Sequence, residues 1–181
     1  FMPEFLTEKN YIQDFMNNKD WIFGVLDKDV QKDDEFKKTI TMLFDLAHQN
    51  ECIKYKTLHF VKNKEAEMIK MFRNCFLATK VSFCNEVAQY CEINNVNYEN
   101  VRKIAANDSR ILHSHTKVPG PDGKKGFGGT CFPKDTHSLK YEMEKSGMTP
   151  IVMNAITERN ETIDRPEQDW NQNTGRAVVK K

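Results

Sequence analysis

The stretch GFGGTCFPKD, residues 126–135, sets one cysteine among three glycines, a proline and a Lys-Asp pair. Glycine lets a backbone come close to something or adopt positive φ, at an entropic cost an ordinary surface loop has no reason to bear. The preceding KVPGPDGKK (117–125) is just as rich in Pro and Gly, which predicts Cys131 on an irregular loop. A cysteine is a nucleophile only as thiolate, so a cation or a helix N-terminus must lower its pKa. Lys134 and Asp135, three and four residues on where a helix should begin, supply both devices. The plain alternative is a buried loop cysteine with Asp135 as a helix cap.

A second group lies in EMIKMFRNCF. Lys70 and Asn74 stand four apart on a helical pattern and so share a face. A cation beside a carboxamide can stabilise a developing oxyanion; a solvated helix face would show the same pair. The third is PEFLTE, in which Glu4 follows a proline and Glu8 comes one helical turn later. His113, His115 and Cys131 have no standard metal-ligand spacing, and no metal is expected.

The elements that must carry these groups follow from periodicity. WIFGVL (21–26) and TLHFV (57–61) read as strands, and DEFKKTITMLFDLAHQ (34–49) as the helix between them. Asn63 is a candidate N-cap with Glu65 and Glu67 in the following turn. No Pro or Gly then interrupts the chain as far as Ile93, and Met68, Phe72, Phe76, Phe83 and Val87 keep to one side. The pattern predicts a single helix over about 63–94, roughly 45 Å long. Shorter helices are expected at 98–107, 136–145 and 150–161, and a loosely ordered polar tail beyond.

The 181 residues carry 27 basic and 26 acidic side chains, a net charge of +1, which offers no global field for nucleic acid or an anionic membrane. No apolar run reaches the ~20 residues of a membrane span. Five scattered cysteines without a C-x-x-C point to a reducing cytoplasm. Phe1 in place of a methionine reads as the start of a fragment whose upstream part is missing.

GFGGTCFPKD resembles the G-x-G-G-x-C-x-P-K-D signature of the UDP-glucose and GDP-mannose dehydrogenases. PEFLTE is similar to that family's N-P-E-F-L-x-E segment, EMIKMFRNCFLATKVSFCNE (67–86) to the start of its central helix, and NDSRI (107–111) to its D-x-R-I turn. The resemblance implies an α/β and α+β chain: residues 1–61 as the C-terminal part of a Rossmann-like NAD-binding domain, 62–161 as an all-α central catalytic and dimerisation domain, and 162–181 as a tail. It implies NAD-dependent oxidation of a nucleotide sugar's C6 alcohol to a carboxylate in two steps, with UDP-glucose the first choice of substrate. GDP-mannose, a UDP-N-acetyl sugar, or a non-catalytic helical dimerisation module are the other readings.

By position, the resemblance makes Cys131 the nucleophile that traps the aldehyde and then carries the thioester. Lys70 and Asn74 fall near the C6 oxygen, Asp135 assists proton transfer with a water, and Glu4 serves thioester hydrolysis. Glu8 and Lys134 fall on NAD. Arg110 reaches the neighbouring subunit's sugar nucleotide, so a homodimer is implied; His115, Lys117, Gly128 and Asn85 fall on the substrate. Met2 stands where the family has Asn, and extra residues around PGPDGKK make assignments between Val118 and Lys125 unsafe. No G-x-G-x-x-G opens a strand–turn–helix, so this chain alone is not expected to complete a cofactor site or to turn over.

Overall fold

The computed structural model describes residues 1–7, 10–26 and 29–172. These divide between two compact units, Phe1–Phe72 and Arg73–Lys181.

In the first unit, β1 (Asp20–Val25) and β2 (Thr57–Lys62) pair in parallel, Trp21 opposite Leu58 and Phe23 opposite Phe60. A parallel pair needs a crossover, which α2 (Val30–Gln49) supplies. Trp21 to Gly24 are buried without interruption, as expected of a strand covered on both faces. Trp21, Phe23, Phe44 and Ile53 form the core. Phe23 stacks on Phe60 at 5.7 Å, while Trp21 and Phe44 meet edge to face at 4.8 Å. The Trp21 indole N–H donates to the Tyr55 carbonyl at 2.8 Å. Helix α2 begins four residues before the sequence pattern shows it, because Asp29 caps it by accepting from the Lys32 N–H at 3.2 Å. The short α1 (Tyr11–Met16) has no counterpart in the hydrophobic pattern. Gly24 is bare for a reason: a Cβ there would lie 2.8 Å from Asn63 Oδ1 and 3.0 Å from Ala66 Cβ.

Helix α3 runs unbroken over Asn63–Ile93, the long helix the sequence predicts. Its start differs in detail. Asn63 is already helical and its amide donates to Glu67 at 2.8 Å, while Glu65 accepts the Lys62 N–H at 2.9 Å and so does the capping. In the second unit follow α4 (Tyr98–Ala105), capped by Asn97, then α5 (Cys131–Lys145) and α6 (Ile151–Arg159).

Two expectations are overturned. Cys131 is the first residue of α5, not a loop residue: Pro133 fits in the opening turn, where backbone N–H groups have no helical partner to lose. Nor are residues 161–172 loose. A wide π turn (Asn160–Asp164) and a short 3-10 turn (Asp169–Gln172) continue the chain, with Asn160, Asp164, Arg165 and Trp170 buried. The segment lacks an apolar stripe, so periodicity could not show its packing; ion pairs and one tryptophan hold it. Residues 173–181 lie outside the described residues.

Candidate active site

Cys131 is exposed at the head of α5, with the Thr130 hydroxyl 4.0 Å from its sulfur. One turn on, Asp135 has no exposed surface. A buried carboxylate is tolerable only when paired and hydrogen-bonded. Here one oxygen accepts from the Asn74 amide at 2.5 Å and the other from the Lys134 ammonium at 2.5 Å. The Cys75 thiol points at the Asp135 carbonyl at 3.5 Å; burial first, then the Asp135 charge, push that thiol up to about 12. Cys75 is thus a neutral packing group, whereas Cys131 meets solvent.

The structure therefore joins Asn74, Lys134 and Asp135 in one hydrogen-bonded set one turn from Cys131. Lys70 lies one turn before Asn74 on α3. Glu4 is exposed on the opening segment, beside a cleft lined by Pro3, Phe5, Asp14, Phe15 and Trp21. Glu8 falls outside the described residues.

A cleft of about 390 Å³ opens beside Gly128, Gly129 and Phe132, with Val81, His115 and Lys117 on its other walls. His115 takes φ +63° and its ring lies 5.7 Å from that of Phe132. Burial, and then the Lys80 charge, hold its pKa below the ordinary histidine value, so the ring is neutral near pH 7. Lys80 donates to the carbonyls of Ile111 and Leu112 at 2.7 and 3.1 Å, pinning the turn that carries Arg110 and His115. Arg110 itself is exposed and, among the described residues, pairs with Asp108 two positions away, at 2.6 Å.

Asn85 does not reach the cleft lining. It is 4% exposed, and its carbonyl oxygen accepts the Gly126 N–H at 3.1 Å, so it holds the glycine loop from α3. The glycines answer to buried neighbours. A Cβ at Gly126, whose φ is +70°, would lie 2.4 Å from Asn160 Oδ1, and one at Gly128 would lie 2.4 Å from the Arg165 guanidinium carbon. Sequence reasoning missed Asn160, Arg165 and Lys80. Only Trp170, a lone tryptophan in a polar stretch, signalled that the region packs.

Residues 64–162 match the model of the UDP-glucose/GDP-mannose dehydrogenase family, central domain. The chain belongs to that family. It is 32% identical over 158 residues to a UDP-glucose 6-dehydrogenase of Pseudomonas aeruginosa, covering 87% of this chain and 32% of that protein. With the Bacillus subtilis UDP-glucose 6-dehydrogenase TuaD it shares 33% over 159 residues, 88% of this chain and 31% of the relative. The solved UDP-glucose dehydrogenase of the archaeon Pyrobaculum islandicum superposes with a TM-score of 0.72 at 28% identity, covering 89% of this chain and 33% of that one. The chain thus spans about a third of the length of the relatives it matches. No helix among the described residues is long and apolar enough to cross a membrane.

Proposed function

We propose that the chain carries the nucleophile and proton-handling groups of a UDP-glucose 6-dehydrogenase. The observation that carries this is the set Cys131–Lys134–Asp135–Asn74, in which the family's cysteine meets solvent one turn from a fully buried, doubly hydrogen-bonded carboxylate. The Cys131 thiolate adds to the C6 aldehyde to give a thiohemiacetal, whose oxygen gathers negative charge as the C–S bond forms. Lys70 and Asn74 face that oxygen in this reading, and an oxyanion is what a cation and an amide N–H stabilise. At the acyl stage the sulfur holds a thioester. Water attacks it with Asp135 and Glu4 handling protons, and the carboxylate leaves as the thiolate is restored.

NAD, when bound, supplies the acceptor for the two hydrides. Of the two residues matched to it, the ammonium of Lys134 is taken by Asp135 and Glu8 is not among the described residues. These side chains alone do not fit a dinucleotide. Residues 1–61 fit the α/β part of such a domain in having the strand–helix–strand crossover.

A homodimer built on α3 belongs to the same reading. Phe76, Phe83 and Tyr90 recur at steps of seven, with Met68 and Phe72 before them, and all five are more than half exposed. An apolar stripe that long on one helix is the signature of an interface.

The test is protection of the thiol. UDP-glucose should slow iodoacetamide labelling of Cys131, read by peptide mapping, and leave the exposed Cys52 unaffected. GDP-mannose protecting better would move the substrate to that sugar nucleotide. Labelling indifferent to both would refute the assignment.

A further inference from the structure

The segment from Asn160 to Asp169 grips the glycine loop through groups that are buried and directional. Asn160, 1% exposed, closes two hydrogen bonds on a single residue of the loop. Its carbonyl oxygen accepts the Phe127 N–H at 2.8 Å and its amide donates to the Phe127 carbonyl at 2.9 Å. Only a carboxamide can both accept and donate in this way; an aspartate lacks the donor and a leucine lacks both.

Arg165, 4% exposed, makes the second tie. Its guanidinium is bidentate to Asp169, at 2.7 and 2.8 Å, and its remaining arm reaches Asp122 on the loop at 2.7 Å. A planar fork can hold one carboxylate with two parallel bonds and still reach a second, which a lysine's point-like ammonium cannot match. The guanidinium also crowds the place a Cβ on residue 128 would take, so the Arg165 position requires glycine there. A third tie is more exposed: Lys124 bonds Glu167 and Asp169 at 2.9 Å each. Three residues of the loop, 122, 124 and 127, are thereby bound to a segment about forty residues further along the chain. Asn85 holds Gly126 from α3.

From these contacts we infer that Asn160 and Arg165 are positioning residues, which fix Gly128 and Gly129 along the cleft and so set where Cys131 stands relative to a bound sugar nucleotide. The inference rests on the proposed reading of that cleft as the substrate site. It assigns no chemistry to either residue; both act through the backbone of residues 122–129.

Three variants of this chain test it. Arg165→Lys keeps the charge and loses the fork; Asn160→Asp keeps the acceptor and loses the donor. Asp122→Asn with Lys124→Gln cuts the exposed ends of the ties and leaves every buried side chain in place. Two readouts are taken: deuterium exchange of the amides of 117–130, corrected for intrinsic rate, and the UDP-glucose concentration that half-protects Cys131 from iodoacetamide. Each variant should speed loop exchange by about tenfold, the scale of one lost charge-assisted hydrogen bond. The half-protecting concentration should rise in step, while exchange within α5 and labelling of Cys52 stay unchanged; a merely structural lesion would move those too. Loop exchange and protection equal to wild type in folded variants would overturn the inference. If a buried variant fails to fold, the Asp122→Asn/Lys124→Gln protein decides alone. If the wild-type chain shows no UDP-glucose protection, the functional reading falls and the exchange data still judge the positioning role.

Discussion

The two units fill their interiors differently. The first is filled by rings: Trp21, Phe23 and Phe44 are buried, with Phe15, Phe36 and Phe60 against them. The second has an apolar interior of its own, with Phe127, Leu139, Met153, Ile156 and Trp170, and adds to it buried Asn85, Asp135, Thr136, Asn160, Asp164 and Arg165, each hydrogen-bonded. Apolar burial is non-directional and scales with area, so it stabilises without fixing fine geometry. Buried polar groups contribute less net stability, and each missing partner is expensive. What they supply is direction. The buried polar network lies in the unit that holds Cys131, whereas the first unit is filled chiefly by rings.

The largest effect should come from the aromatic side. Trp21→Ala removes a fully buried ring and a hydrogen bond, and should cost about 3–5 kcal/mol of stability. Cys131 labelling in the still-folded fraction should be unchanged. A changed labelling rate at low denaturant would break the contrast, since it would make the aromatic core a determinant of the thiol's setting.

Asp135→Asn should show the reverse balance. It leaves volume almost constant but removes the charge that Lys134 pairs with and gives Asn74 an amide to face. A loss of about 1–3 kcal/mol is expected, smaller than for Trp21→Ala, yet Cys131 labelling should change severalfold. In both proteins Cys75 should stay unlabelled near pH 8, because a thiol pushed up to about 12 is almost wholly protonated there. Equal labelling of Cys75 and Cys131 would contradict the burial that separates them.

The aromatic unit was legible in the sequence and the polar one only in part, for a physical reason. Apolar residues repeat with the period of their element, so WIFGVL, TLHFV and the run from Met68 to Val87 announce two strands and a long helix. Asn160, Arg165 and Asp169 obey no period; their partners Phe127, Gly128 and Asp122 lie some forty residues away, and a polar run reads alike whether solvated or paired. Asp29 and Glu65 escaped for a related reason, since which acid caps a helix depends on backbone geometry. The region around Cys131 was visible through its motif, but a proline two residues after Cys131 hid the fact that this cysteine is helical.

Acid should separate the units next. Hydrogen bonds from Arg165, and then from Lys124, hold Asp169 well below the usual carboxylate range despite burial. Burial pushes Asp122 upward, but Arg165 and the Lys124 N–H outweigh it, and its pKa is also lowered. Both contribute stability that is complete above the unfolded value of about 3.9 and drains as pH falls below it. Burial raises Asp164 against the pull of Arg159, so its folded form gains a proton first and adds stability as pH falls from its raised value to about 3.9, before the loss begins. The chain has two tryptophans, Trp21 in the first unit and Trp170 in the second, which makes the comparison measurable. With Trp21→Phe, Trp170 fluorescence should hold from pH 7 to 5 and fall below about pH 4. With Trp170→Phe, Trp21 should respond later. Simultaneous transitions would mean that the two interiors do not differ in their dependence on ionised groups.

The smallest effect on folding is expected at Arg110, and it tests where the site ends. Its side chain is 87% exposed and, among the described residues, bonds Asp108 two positions away, so a surface pair of this kind should add almost nothing to stability. Arg110→Ala should therefore melt with wild type. If Arg110 serves the sugar nucleotide of a second copy, as the family resemblance implies, the same substitution should abolish UDP-glucose protection of Cys131. Mixing then decides between a local and a shared role. In a dimer of one Arg110→Ala chain and one Cys131→Ala chain, the only remaining Cys131 sits on the chain without Arg110, and its partner supplies the arginine. Protection restored by mixing means that Arg110 acts from a second copy of the chain, as the proposed dimer on α3 requires. Protection that stays lost, with mixed dimers present by mass spectrometry, confines Arg110 to its own chain. The arginine would then serve the Cys131 site of its own chain, with no contribution from a second copy.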